Sequence, residues 1–187
     1  KKKLPIKSVL LDQNIIVGIG NIYADEILFL SKINPLKKCN LITKEEAENI
    51  IKYTKKEVEL LARLMRAEAE SDGDLAMLMV GNVGVNRVLA NCLDFKEITS
   101  IEAMVYQHPG GFESTLYSYF YEPVRTVDLN LAKRVLKGEK FHPASLALWF
   151  YNAGSDDCMA KWWGQWNAGR YKSHCFYAPV ESEGCYN

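Results

Sequence analysis

The residues of this chain that could do chemistry are a few carboxylates near one helix, a dense set of aromatics, and scattered histidines. Glu68 follows Leu61, Leu64, Met65 and Ala67 on a segment whose apolar residues recur at helical spacing. A carboxyl on such a surface loses part of its solvation, so its pKa rises and it can hold a proton near neutral pH. That is what a general acid needs to protonate a departing glycosidic oxygen, after which the same group can act as a base. Spacing alone also allows a blander reading, which it favours, of a surface carboxylate in a salt bridge with Arg63 or Arg66. Ordinary glycosidases need a second carboxylate, about 5 Å away when retaining and about 6.5–9.5 Å when inverting. Glu70, Asp72, Asp74 and Glu113 are the nearby candidates, and the first three sit in an acidic stretch that reads as a solvated turn.

The aromatics are concentrated: 16 of 21 fall between Tyr106 and Tyr177, including all four Trp. Flat ring faces cover the apolar faces of sugars, which suits a saccharide groove. Trp162, Trp163 and Trp166, set among Gly and Asn, read as a loop over such a groove or as a partner surface, whereas Phe120, Phe150 and Phe176 read as core. His174 is a lone histidine among core residues and reads either as structural or as orienting substrate or Glu68. No His, Asp or Glu cluster has metal-ligand spacing, no nucleophile elbow supports a Ser-His-Asp triad, and no cofactor is expected.

The element that must carry Glu68 starts at Thr43-Lys44-Glu45-Glu46, a capping box. Ala47, Ile50, Ile51, Thr54, Val58, Leu61 and Met65 then repeat at three- and four-residue steps, with no Gly or Pro before Gly73. The resulting helix of about 27 residues is twice the usual length, as two helices fused end to end would be. Upstream, Gly18-Ile-Gly20-Asn21 leads into a helix near 23–31 that Asn34-Pro35 ends. Downstream, 75–89 predicts a strongly apolar helix, and 101–106 and 130–136 shorter ones. The stretches 115–121 and 145–151 have strand-like content. The fold class expected is α+β, mainly α.

Lys plus Arg and Asp plus Glu each number 23, so the net charge is zero, which taken alone argues against a strongly cationic nucleic-acid binder. The zero conceals +5 over residues 1–56 and −5 over residues 57–187, two compositionally different pieces. Five cysteines lie far apart with no Cys-x-x-Cys pair, and the odd number leaves a free thiol. A reduced compartment and a late-assembling extracellular layer both fit. No apolar run approaches the roughly 20 residues of a membrane span, and Lys1-Lys2-Lys3 is not followed by the apolar core of an export signal.

Two resemblances match the two pieces. Ile6-Lys7, Leu11-Asp12-Gln13, Gly18-Ile-Gly-Asn-Ile-Tyr23 and Asp25-Glu26 resemble the helix-two-turn-helix of formamidopyrimidine-DNA glycosylases. A glycine loop opening a helix presents free N–H groups to a phosphate. The resemblance implies DNA-backbone contacts by Lys7 and Asn21, which would position without reading sequence. The glycosylases' catalytic proline and glutamate and their zinc finger are absent, so no glycosylase chemistry is implied. Residues 1–56 are then either a packing module or a DNA-phosphate contact.

The second resemblance covers about 120 residues. Glu59-Leu-Leu-Ala-Arg-Leu-Met-Arg-Ala-Glu68-Ala-Glu70, Val80-Gly-Asn-Val-Gly-Val-Asn86-Arg87-Val88, Val105-Tyr106-Gln107-His108-Pro109 with Phe112, Leu148-Trp149-Phe150-Tyr151-Asn152 and Lys172-Ser-His174-Cys175-Phe176-Tyr177 resemble the SleB/CwlJ cell-wall hydrolases, nearer the CwlJ branch. This implies a lysozyme/transglycosylase-like catalytic domain over 57–187, joined to an amino-terminal helical hairpin through a long shared helix. It implies Glu68 as acid/base, reversing the preference for a salt bridge. It also implies substrate contacts by Tyr106, Phe112, Glu113, Tyr151, Asn152, His174 and Tyr177. The substrate implied is spore-cortex peptidoglycan, and lytic transglycosylation, in which one Glu suffices, is favoured over hydrolysis. A spore-coat partner protein, synthesis in the mother-cell cytoplasm without a signal peptide, and a place in the spore coat and cortex region complete the expectation.

Overall fold

A computed structural model describes residues 3–12 and 20–186, and the side chains of Asn21 and Ile22 lie outside that description. The expected phosphate loop at Gly18 and the Asn21 side chain therefore fall outside the described residues. On either side of residues 13–19, α1 (Ile6–Leu10) and α2 (Asn21–Leu30) are the two helices of the amino-terminal piece. Among them Ile6, Leu10, Ile27 and Leu28 are buried in the same core as the rest of the chain.

The long helix exists as read. α3 (Lys44–Ala69) opens on a formed capping box, in which Thr43 Oγ1 accepts from the Glu46 N–H and Glu46 Oε2 accepts from the Thr43 N–H. Its 26 residues span about 39 Å. A 3-10 turn at Glu70–Asp72 and Gly73, at φ +86°, then reverse the chain into α4 (Asp74–Leu89). α4 is buried on nearly every side, as a helix that is apolar all round must be. Its glycines allow close crossings: a Cβ on Gly81 would meet Met65 Sδ at 2.9 Å, and one on Gly84 would meet Met104 Cε at 2.9 Å. α5 (Ile101–Val105) and α6 (Thr126–Leu136) complete the helical layer around α3 and α4.

Beside these helices lies an antiparallel sheet in the order β1-β4-β3-β2, from β1 (Trp149–Asn152), β2 (Lys161–Trp162), β3 (Gln165–Tyr171) and β4 (His174–Ala178). The strand expected at 145–151 is confined to Trp149 onward, because Ala144, Ala147 and Leu148 are packed into the core from a turn. The stretch 115–121 is not a strand: two 3-10 turns, Glu113–Leu116 and Ser118–Tyr121, bury Phe120 and leave Tyr117, Tyr119 and Tyr121 exposed. Strands β2 to β4 were not legible as such. Two disulfides, Cys92–Cys185 and Cys158–Cys175, tie the end of α4 to the carboxy-terminal tail and the loop before β2 to β4, leaving Cys39 free.

Polar side chains of α4 hold the loops that frame the cleft. Asn82 Nδ2 donates to the Glu139 carbonyl and its Oδ1 accepts from the Phe141 N–H. One turn later, Asn86 Nδ2 donates to the carbonyls of Ala144 and Ala147 while Lys140 donates to Asn86 Oδ1. Buried polar groups need such partners, and here each partner is backbone leading into β1 or the residue that anchors it.

Candidate active site

Where the end of α3 faces the sheet, a cleft of about 590 Å³ opens. Glu68 is in its floor; Phe112, Glu113, Ser114, Tyr117 and Tyr119 form one wall, and Tyr151, Asn152, Trp162 and Trp163 another. Three carboxyls line it, and Asp94 and Glu113 are solvent-exposed while Glu68 is withdrawn. Burial pushes the Glu68 carboxyl above its ordinary value, while Ser114, His174 and Arg87 draw it part of the way back. Glu68 Oε1 and Ser114 Oγ are both sealed from solvent without a completed hydrogen bond.

The salt bridge that spacing favoured for Glu68 does not form. Arg66 turns the other way, donating to the carbonyls of Pro123, Tyr119 and Glu122. Arg63 lines a separate surface hollow with Lys56, Glu59 and Tyr106. The cation acting on Glu68 is instead Arg87, buried beneath the cleft between Phe112 and Phe95, its guanidinium 4.5 and 5.2 Å from the two ring centres. Arg87 Nε donates to the Leu148 carbonyl and its NH1 to the Gly110 carbonyl, so one side chain pins both walls. Desolvation lowers its pKa to about 10, and it remains a cation at neutral pH.

Of the residues expected to touch substrate, Phe112, Glu113, Tyr151, Asn152 and His174 line the cleft, and Tyr106 and Tyr177 do not. Tyr106 faces the hollow beside Arg63, because it ends α5 on the helix side. Tyr177 is fully buried under Tyr151 and Trp162 and donates its hydroxyl to the Met159 carbonyl, so it supports the wall from within. His174 is sealed too, with Nδ1 2.9 Å from Asp72 Oδ2 and Nε2 3.2 Å from the Glu68 carbonyl oxygen. Asp72 is thus no idle solvated turn residue, whereas Glu70 pairs with Arg125 away from the cleft. Glu113 Oε1 accepts from the Tyr117 hydroxyl.

Sequence reasoning missed Arg87, Ser114, Tyr117, Tyr119 and Trp149 as cleft residues. A cation in the middle of an apolar helix was a readable signal for Arg87. Nothing in the spacing of the tyrosines could show which of them a pair of 3-10 turns would aim at the cleft. Trp162 and Trp163 stack with centres 4.5 Å apart at its lip, while Trp166 lies outside under Lys161 Nζ. In the hairpin, Lys7 is paired with Asp25 at 2.8 Å.

Comparison with known proteins finds two family profiles that meet at residue 71. The formamidopyrimidine-DNA glycosylase H2TH domain profile matches residues 1–71, and the Cell Wall Hydrolase profile matches residues 71–177. "Cell wall hydrolase CwlJ" of Oceanobacillus iheyensis is 59% identical over 134 residues, 72% of this chain and 94% of that protein. The protein of the same name from Bacillus subtilis is 46% identical over 138 residues, 74% and 95% of the two chains. In a chain of 187 residues, a match covering 134 begins no later than residue 54, so it takes in Glu68. Formamidopyrimidine-DNA glycosylase of Mycoplasmopsis pulmonis is 60% identical over 52 residues, and the chain spans about a fifth of that enzyme. Among solved structures, the catalytic domain of the Bacillus cereus SleB protein superposes with a TM-score of 0.54 at 18% identity, over 66% of this chain and 90% of that one, which shows the fold. With the hydrolase profile covering more than half of its length and such relatives matching nearly end to end, the chain belongs to the cell wall hydrolase family.

Proposed function

We propose that the cleft cleaves the glycan strand of peptidoglycan, with Glu68 as the general acid and then the general base. The observation that carries this reading is that Glu68, unlike the two exposed carboxyls of the cleft, is withdrawn from solvent, and that burial pushes its pKa up while it still borders an open, aromatic-walled cleft. A protonated Glu68 donates to the glycosidic oxygen as the bond to the anomeric carbon breaks, and becomes a carboxylate. Positive charge developing on the sugar ring is met by that carboxylate. The carboxylate then takes a proton from the incoming nucleophile. Intramolecular attack needs no second carboxylate, and Glu113 and Asp94 are both solvent-exposed, Glu113 also accepting from Tyr117, so we favour attack by the muramoyl 6-hydroxyl, giving a 1,6-anhydro product, over attack by water. Spore-cortex peptidoglycan is the substrate this reading names, after the similarity to the CwlJ proteins.

The hairpin is read here as structural, joined to the catalytic piece within α3 near residues 56 and 57. Its Glu26 Oε1 accepts from the Ile101 N–H, serving α5, and the Tyr23 hydroxyl donates to the Thr54 carbonyl. Those contacts spend its polar groups on the protein itself.

Digestion of cortex peptidoglycan followed by mass spectrometry of the soluble fragments tests the reaction. Anhydro-muropeptides are expected; reducing ends would replace transglycosylation by hydrolysis, and no fragments would remove the assignment.

A further inference from the structure

His174 is 1% exposed, and both of its ring nitrogens face oxygen. Nδ1 is 2.9 Å from Asp72 Oδ2 and 3.2 Å from Ser173 Oγ. The Ser173 hydroxyl and N–H both donate to Asp72 Oδ2, so the carboxylate is already held as an acceptor and the Ser173 oxygen has only lone pairs left for the ring. Nε2 is 3.2 Å from the backbone carbonyl oxygen of Glu68, which can only accept. A neutral imidazole has one N–H and one lone pair, so it would set a lone pair against an oxygen at one of these contacts. Donation from both nitrogens satisfies all of them.

We propose that His174 stands as an imidazolium clamped by Asp72, and that this cation is the positioning and charge-setting residue for Glu68. The inference rests on Glu68 being the general acid. From behind, Nε2–H fixes the backbone of Glu68 at the last turn of α3. Asp72, three residues beyond α3, receives the turn between β3 and β4 through Ser173, while Lys172 Nζ donates to its backbone carbonyl. Phe150 of β1 and Phe176 of β4 present tilted, uncharged rings 5.6 and 6.3 Å away, and the ionisable side chain that the ring faces besides Asp72 is Glu68. A buried cation persists only when paired and hydrogen-bonded, and this one is both.

The consequence is chemical. Glu68 turns from acid to carboxylate as the glycosidic bond breaks, and a fixed cation behind it stabilises the form it becomes. Burial alone would hold the proton too tightly. His174 and Arg87 oppose the effect of burial on the Glu68 carboxyl and so ease release of its proton.

The test reads the ring directly. In 15N-labelled protein at pH 7, both His174 nitrogens are expected to resonate as N–H nitrogens, and in Asp72→Asn one of them is expected to move to the unprotonated position. A bare nitrogen in the parent protein would overturn the proposal. The kinetic arm uses His174→Gln, whose amide can still donate to the Glu68 carbonyl but carries no charge. Its alkaline limb of kcat/KM on cortex fragments is expected to move up by about one pH unit. An unmoved limb would also overturn the proposal; if His174→Gln does not fold, Asp72→Asn gives the same readout. Failure of the underlying assignment looks different: Glu68→Gln would be as active as the parent whatever the histidine spectrum showed.

Discussion

Among the described residues, burial raises the pKa of carboxyls in two places, and the two differ in what surrounds them. At the junction of α2, α3 and α5, Glu26 and Glu57 are 7% and 0% exposed. Burial, then the charge of Glu57, pushes Glu26 up to about 9, and burial raises Glu57 as well. Both Glu57 oxygens are sealed without a completed hydrogen bond. In the cleft, burial likewise raises Glu68, but the residue borders a large opening and is opposed by Ser114, His174 and Arg87. A raised carboxyl pKa is therefore a record of burial, not of catalysis. On the reading proposed above, an open cleft and the neighbouring Ser114, His174 and Arg87 separate Glu68 from the junction pair.

The largest effect that would break this comparison is on chemistry. Glu68→Gln is expected to lose about 10²–10⁴-fold in kcat/KM, with its melting temperature within about 2 °C of the parent. Glu57→Gln is expected to leave kcat/KM unchanged within about twofold. Steady-state kinetics and thermal melts on the two variants check both halves, and a reversal of the two would dissolve the distinction.

Next in size is the pH dependence of stability. A carboxyl whose folded pKa is raised binds its proton more tightly in the folded chain than in the unfolded one. The Glu26 contribution is thus full below about 4.5, and it is lost as pH rises toward about 9. Thermal melts of the parent should fall across that window, and Glu57→Gln should raise the melting temperature at pH 8 by about 2–4 °C for each kcal/mol of strain removed. A melting profile that Glu57→Gln leaves just as steep would mean that the junction pair is not the source.

The cleft walls give a smaller effect. Tyr119→Ala or Trp163→Ala, each removing one exposed ring from a stacked pair, should raise KM about fivefold with kcat little changed. Tyr106→Ala, outside the cleft, should leave KM as it is. Smallest is Ser114→Ala: without the hydroxyl that draws the Glu68 carboxyl down, the alkaline limb of kcat/KM should rise by a few tenths of a pH unit, about 0.3.

Much of this was legible in the sequence, and the limits are physical. The capping box at Thr43 and the helical spacing that predicts about 27 residues are local signals, and α3 runs for 26 residues from that cap. The apolar periodicity of 75–89 likewise specifies α4. The aromatic run 115–121 misled because β-propensity records a fit to a half-buried sheet, and these rings stand on successive 3-10 turns with no partner strand. In the cleft, Glu68 was found through the motif that carries it. Tyr106 and Tyr177 were placed with it because a motif gives adjacency in sequence, whereas the side of α5 or of β4 on which a ring falls is set by packing. The pairing of Asp72 with His174 joins residues 102 apart and has no local signature.

The central claim is that the Glu68 carboxyl is the proton whose loss switches activity off as pH rises. Its most direct test is a titration of protein labelled with 13C at the glutamate carboxyls, with Glu68 identified from the missing signal of Glu68→Gln. The Glu68 signal should titrate above the ordinary glutamate value, with a midpoint matching the alkaline limb of kcat/KM for the same protein. A Glu68 signal that titrates at the ordinary value, or well apart from that limb, would contradict the account.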